Sequence, residues 1–249
     1  MIHACYIIHY GKEWLYWSIR SVMDLVDQVH VFYTAVPTHG HRSDIRNPDN
    51  GKELFDICKY FGSKLIWWDC TRFQFAHEGL HRTYAVNMCA GYGADIVMVS
   101  DTDEIWDCDL IDAYLHEIDK NVVRNYRVGM RHFWRSLKWV CDDPAMPVRF
   151  IRPSVNENSE YYLSGEGGKV FHMGYAQKSE LIKYKMSIHG HKNELRPNWF
   201  EDKFMTWRPG DNDVHPTNLN FWNPKQYLDD GELKCLVGNH PYWDLELIE

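Results

Sequence analysis

Apolar positions in the first hundred residues switch between two periods, and each switch marks an element. "HACYIIHY" (3–10) is β-rich and ends at Gly11, after which Trp14, Leu15, Ile19, Val22 and Val26 recur at helical spacing through 12–29. "HVFYTAV" (30–36) reads as the next strand, "KELFDICKYFG" (52–62) as a short helix closed by Gly62, and "KLIWWD" (64–69) as a third strand. "HEGLHRTYAVNMCAGYG" (77–93) predicts another helix, and "ADIVMVSD" (94–101) a fourth strand whose core "IVMV" holds no polar residue. A run without alternation suits a strand covered on both faces. Strands alternating with helices predict the α/β class, with a mostly parallel central sheet flanked by helices.

Beyond residue 101 the regularity fades. "DLIDAYLHEID" (109–119) and "KSELIKYKMS" (178–187) read as helices, and 121–175 holds β-like runs broken by Pro and Gly. The last 60 residues are rich in Pro, Asn, Asp and Trp with little period, so an irregular C-terminal part is expected. No repeat, low-complexity tract or linker interrupts the chain, and one domain over 1–249 is expected.

Composition narrows the class. Of 249 residues, 45% are hydrophobic and 25% charged, the balance of an ordered globular protein. The 11 Trp and 15 Tyr supply core volume first, and secondarily flat surfaces on which bases or sugars stack. A net charge of −8 argues against non-specific coating of nucleic acid, while leaving room for a local basic groove. Seven Cys without a C-x-x-C pair read as reduced thiols and disfavour a zinc cluster. "MIHACYIIHYGKEW" lacks the basic start of a signal peptide, and no run of about 18 apolar residues occurs. The expectation is a cytoplasmic protein with no membrane partner.

The chemistry is concentrated in "VMVSDTDEIWD" (97–107), where an apolar run ends in Asp101, Asp103 and Glu104. Ligands of open α/β sheets bind at the carboxyl ends of strands. Carboxylates crowded there repel unless a cation joins them, and a hard divalent ion that also holds phosphates is the usual one. In an extended segment Asp-x-Asp puts both carboxylates on one side, so Asp101 and Asp103 are the candidate ligands of Mg²⁺ or Mn²⁺. The alternative is that these acids cap the helix near Asp109 or simply face water.

"HRTYAVNMCAGYGADIVMVSDTDEIWD", together with the preceding strand and helix order, resembles the nucleotide-sugar glycosyltransferases of the GT-A fold, in their family 2-like branch. The resemblance covers residues 1–120 and resumes at "KVFHMGYAQKSELIKYKMSIHGH" (169–191). It implies a nucleoside diphosphate sugar, a UDP-sugar first, bound by the half 1–120, and an acceptor held by 121–249. Asp101 and Asp103 would reach the diphosphate through the ion, with Asp103 at the reacting end. His172 would be a third ligand, with His189 and His191 as rivals, and an imidazole leans toward Mn²⁺. Arg82 would contact the diphosphate or orient the aspartates; its alternative is an ion pair with Glu78, four residues earlier. Tyr33, Thr34 and Asp44, after the second strand, would contact base and ribose, and Gly40 between His39 and His41 suggests a mobile flap.

An inverting transfer needs a carboxylate base. Glu166 in "LSGEGGK" is the first candidate, followed by Asp142 and Asp143. For the acceptor, residues 124–152 carry seven Lys or Arg against two Asp, with Phe133, Trp134 and Trp139 interleaved. Such a composition holds single-stranded or flipped nucleotides. The opening residues have a phage-like look, and some phages glycosylate hydroxymethylated bases in their own DNA. Modified DNA is therefore one expected acceptor, beside a surface glycan or lipid-linked sugar. A solvated strand face or a lining for the donor diphosphate would explain the same charges. Two rivals remain: a nucleotidyltransferase, disfavoured because "HYGKEW" is no Gly-rich loop, and a non-catalytic sugar- or nucleic-acid-binding module.

Overall fold

The computed structural model describes residues 1–38, 43–73, 75–164 and 170–249. The chain opens as β1 (Ile2–Ile8), α1 (Lys12–Val22), β2 (Gln28–Tyr33), α2 (Gly51–Cys58), β3 (Leu65–Asp69), α3 (Glu78–Gly91) and β4 (Ile96–Ser100). These are the seven elements expected from the pattern, shifted at their ends. Helix α1 stops at Val22 rather than near residue 29 because Asp27 turns back onto β1. Its N–H donates to the Ile2 carbonyl at 2.8 Å and its carboxylate accepts from the Ile2 N–H at 2.7 Å.

β1 to β4 form the parallel heart of a seven-stranded sheet of order β10-β6-β9-β4-β1-β2-β3. β9 (Val148–Ile151) runs antiparallel to both β4 and β6 (Asn125–Arg127), while β10 (Glu160–Tyr162) pairs parallel with β6. The mostly parallel α/β sheet flanked by helices is thus present. All five residues of β4 are buried. Ala4, Tyr6 and Ile8 of β1 pack with α1 and with α4 (Cys108–Lys120), while Cys5 packs on the α3 side with Ala85 and Cys89.

A second sheet, unforeseen in the sequence, has the order β12-β8-β7-β11-β5. Its strands are β5 (Glu104–Ile105), β7 (Met130–Trp134), β8 (Trp139–Asp142), β11 (Val170–Tyr175) and β12 (Lys225–Gln226). α5 (Ser179–Ser187) and the short α6 (Glu232–Val237) complete the regular elements. Trp134, Trp199, Trp207 and Trp222 are buried together around this sheet, so most of the tryptophan excess is core. No helix among the described residues is long and apolar enough to cross a membrane.

Candidate active site

Strand order decides where the pocket lies. The chain lays β2 and β3 on one side of β1, then returns to place β4 on the other. Between β1 and β4 the order therefore reverses, and the carboxyl ends of those two strands diverge around a crevice. A cavity of about 350 Å³ opens there. One wall is the end of β1 with Ile8, His9 and Tyr10, joined by Thr34 and Pro37 after β2; the floor is Asp101, Thr102 and Asp103. The opposite wall is His172 of β11, Lys185 of α5, and the His189–His191 turn.

The acid segment is the crossing from the first sheet to the second. It is a turn, with the Glu104 N–H donating to the Asp101 carbonyl at 3.2 Å, so the expected extended alternation does not apply. Both aspartates nevertheless face the cavity. The turn is pinned by Ser18 of α1, whose hydroxyl donates to the Glu104 carbonyl at 2.6 Å. The Met173 N–H donates to the Asp103 carbonyl at 2.7 Å. Gly11 sits against it at φ +113°, where a Cβ would lie 2.1 Å from Thr102 Oγ1. Helix capping is done by a fourth acid, Asp107, which accepts from the N–H groups of Asp109 and Leu110. Asp101, Asp103 and Glu104 are therefore not explained as caps.

Their mutual repulsion is offset by cations of the chain itself. Glu104 is fully buried and is gripped by Arg149 of β9, whose Nε lies 2.9 and 3.0 Å from its two oxygens. Arg149 Nη2 also donates to Asp101 Oδ2 at 2.7 Å. Burial pushes the Glu104 carboxyl upward while Arg149 pulls it back, and burial's opposition to the Arg149 charge is overcome by Glu104 and Asp101. Asp103 accepts from Gln177 Nε2 at 3.1 Å and from Lys185 Nζ at 3.4 Å. Burial would raise Asp103, but Lys185 and then His172 outweigh it and hold the carboxyl at about 2. Lys185 is itself steadied by the Gly174 carbonyl at 3.1 Å.

Among the described residues no group of three or more His, Cys, Asp or Glu side chains is placed to hold a metal ion. Mg²⁺-like ions bound to phosphates need fewer, commonly one or two carboxylates. Asp103 Oδ1 and His172 Nε2 face each other 3.6 Å apart, too far for a hydrogen bond. The Asp101 side chain, 37% exposed, borders the same cavity. The donor set fits an ion that completes its shell with phosphate and water.

The other expected residues fall in several places. Thr34 lines the cavity, and its carbonyl accepts from His9 Nδ1–H at 2.8 Å, which leaves His9 Nε2 as acceptor for the Tyr184 hydroxyl at 2.6 Å. Tyr33 turns away, stacking on Trp67 and abutting Gly51 beside a separate groove. Asp44 is exposed and does not line the cavity. Arg82 pairs with Glu78 at 2.7 Å, and Glu78 borders the cavity. His189 and His191 line the rim, with His191 paired to Glu194 at 3.0 Å. Glu166 and the His39–His41 flap lie outside the described residues. Asp142 is on the surface with Lys225, and Asp143 is partly buried behind His132, so neither lines the cavity.

The basic-aromatic stretch 124–152 is not one continuous element. Folding splits it between the two sheets across β6, β7, β8 and β9. Phe133 and Trp134 are fully buried, Arg127 forks onto Glu160, Lys138 pairs with Glu246, and Arg149 serves the acid turn. Three of its seven cations are thus paired with acids elsewhere in the chain. Conversely, His9, Lys185, Arg149 and His132 were not singled out individually in the sequence. Arg149 was visible only as one charge of that stretch.

No protein-family model matches the chain, and no curated protein matches its sequence. Among solved structures it is similar to TarS 1-349 of S. aureus, with TM-score 0.38 and 11% identity over 53% of this chain and 36% of that one. The same protein in complex with UDP gives TM-score 0.37 at 11% identity over the same shares. Glucosyl-3-phosphoglycerate synthase from Mycobacterium tuberculosis, in complex with Mn²⁺, UDP and phosphoglyceric acid, gives 0.33 at 15% identity over 54% and 43%. The chain spans less than half the length of each. Likeness at this level identifies neither family nor chemistry.

Proposed function

We propose that the chain is a glycosyltransferase that takes its sugar from a nucleoside diphosphate carrier, a UDP-sugar first. The observation that carries this is the cavity at the switch point of the parallel sheet, with Asp101 and Asp103 on its floor and Lys185 and His172 opposite. A diphosphate needs positive charge on one side and an ion-binding carboxylate on the other, and this cavity offers both. In this reading the nucleoside would take the side of the cavity lined by the end of β1, Thr34 and Pro37, and the diphosphate the side lined by Lys185, His189 and His191, with the sugar toward Asp103.

Asp103 and His172, with Asp101 bordering the same cavity, would hold Mn²⁺ or Mg²⁺ together with the donor's phosphates; when bound, the ion would supply Lewis-acid stabilisation of the departing nucleoside diphosphate. Lys185 places an ammonium beside the same leaving group and keeps Asp103 ionised. Tyr10 and the His9–Tyr184 pair close the β1 side against water. Glu166, by its place in the chain between β10 and β11, is the proposed base toward the acceptor hydroxyl. The acceptor proposed is a glycan or lipid-linked sugar, since residues 124–152 are dispersed.

A non-catalytic binding module is favoured by one observation: Asp101 and Asp103 already have Arg149 and Lys185 as partners. Calorimetric titration of UDP, GDP, CDP and dTDP, each with Mn²⁺ and with EDTA, separates the two readings. The enzyme reading expects one nucleotide to bind with metal, Asp103→Asn to weaken it at least tenfold, and slow hydrolysis of the matching nucleotide sugar. Metal-independent binding indifferent to Asp103→Asn, with no hydrolysis, would install the module instead.

A further inference from the structure

Three polar side chains behind the cavity have no part in the site so far: His132 of β7 and Asp143 just after β8, both partly buried, and the buried Trp222. His132 and His172 are register partners on β7 and β11. Their Nδ1 atoms lie 2.9 Å apart, so in neutral rings one hydrogen bridges them and one nitrogen must accept it. The far edge of each ring faces a carboxylate. His132 Nε2 is 3.8 Å from Asp143 Oδ2, and His172 Nε2 is 3.6 Å from Asp103 Oδ1.

Two arrangements of the bridging hydrogen exist. If His132 donates it, its Nε2 turns a lone pair toward Asp143. If His172 donates it, the lone pair on its own Nε2 faces Asp103. The two carboxylates are not equivalent. Asp103 has an ammonium, Lys185, and the Gln177 amide on its other oxygen. Asp143 has neutral donors, the Trp222 indole at 2.8 Å and the Ala145 N–H at 2.7 Å, and its one ion-pair partner among the described residues is His132. The uncompensated carboxylate gains more from an N–H. Lys185 adds to this on the other side. A Cβ on Gly174 would lie 2.8 Å from His172 Nε2 and 2.9 Å from Lys185 Nζ, so both atoms border one small space. An ammonium there favours a lone pair on Nε2 and disfavours a second N–H.

We propose that His132, backed by Asp143 and Trp222, is a positioning residue that keeps the hydrogen of His172 on Nδ1 and a bare Nε2 turned into the cavity. This rests on the preceding reading of the cavity only where it makes that nitrogen a ligand. Groups behind a ligating imidazole fix its tautomer and raise its basicity. Here the outer group is a second imidazole, which passes the preference of Asp143 across β7 to β11.

The tautomer is read directly in metal-free protein, by long-range ¹H–¹⁵N correlation on ¹⁵N-histidine-labelled chain, with His172 assigned through His172→Gln. The expected spectrum shows a protonated Nδ1 and an unprotonated Nε2 for His172. His132→Asn, whose amide oxygen can accept the Nδ1–H, keeps that pattern; His132→Leu loses it. Mn²⁺ affinity measured with UDP present then falls about 10–100-fold in His132→Leu and is largely rescued in His132→Asn. A wild-type spectrum with the hydrogen on Nε2 overturns the proposal, and needs no variant. So does a folded His132→Leu protein with unchanged tautomer and affinity. If the tautomer is as stated and wild-type protein takes up no Mn²⁺, the positioning stands and the metal-bound donor reading falls.

Discussion

Arg149→Met tests the electrostatics beneath the cavity most sharply. The guanidinium grips a carboxylate with no exposure, Glu104, and reaches on to Asp101. Burial already holds Glu104 raised, to about 8, with Arg149 in place, and without the guanidinium it rises further because no cation is left beside it. The variant also strips Glu104 and Asp101 of their charged donor, which costs about 1.5–3 kcal/mol. The sign of the pH dependence follows. A folded-state value above the unfolded one, about 4.3, gives a contribution that is fully present below about pH 4.3 and is lost as pH rises through the folded value. In wild type that loss ends near pH 8 and in the variant it continues. The deficit is therefore level below about pH 8 and widens above it by about 1.4 kcal/mol per unit. Urea unfolding followed by Trp fluorescence at pH 7.5 and 9.5 measures it. The double variant Arg149→Met/Glu104→Met should recover most of the loss, since Asp101 is exposed enough to be hydrated. A loss below about 1 kcal/mol at pH 7.5, or a deficit equal at both pH values, refutes the reasoning.

Gly174→Ala would put its Cβ 2.2 Å from His172 Cε1, so the ring must turn; metal-dependent nucleotide binding should vanish while circular dichroism stays native. Lys185→Met removes a charge-assisted contact worth about 1.5–3 kcal/mol, so calorimetry should show nucleoside diphosphate binding weakened about 10–100-fold, with Lys185→Arg intermediate. His81 is fully buried, stacked on Phe75, and neither ring nitrogen has a hydrogen-bond partner among the described residues. Burial lowers it to about 4, so its stability contribution is complete above about pH 6.5 and is lost as pH falls toward 4. His81→Phe should gain about 1 kcal/mol at pH 7 and flatten the decline between pH 6.5 and 4 in denaturant titrations; an unchanged slope would show that His81 is not its source.

The elements up to α4 could be read from the sequence because each is specified locally. The apolar run "IVMV" needs cover on both faces wherever it lies, and the helical spacing of Trp14, Leu15, Ile19 and Val22 fixes a buried stripe without reference to partners. Placing Asp101 and Asp103 at a strand end followed from the same local logic. What compensates them did not. Arg149 is 45 residues from Glu104 in sequence and meets it because β9 pairs with β4. The second sheet was illegible for a related reason: its strands are short, and β11 and β7 pair parallel across about 40 residues of intervening chain. Its register alone sets His132 behind His172. The stretch 124–152 shows the converse. Counted along the chain it is one basic patch, yet three of its seven cations meet Glu160, Glu246 and Glu104 once the strands separate into two sheets. Periodicity depends on neighbours a few residues apart, so the sequence alone determined the elements and the class of sheet. Charge compensation, ring tautomer and the walls of the cavity depend on atoms brought within a few ångströms from distant positions, and only the tertiary structure decided them.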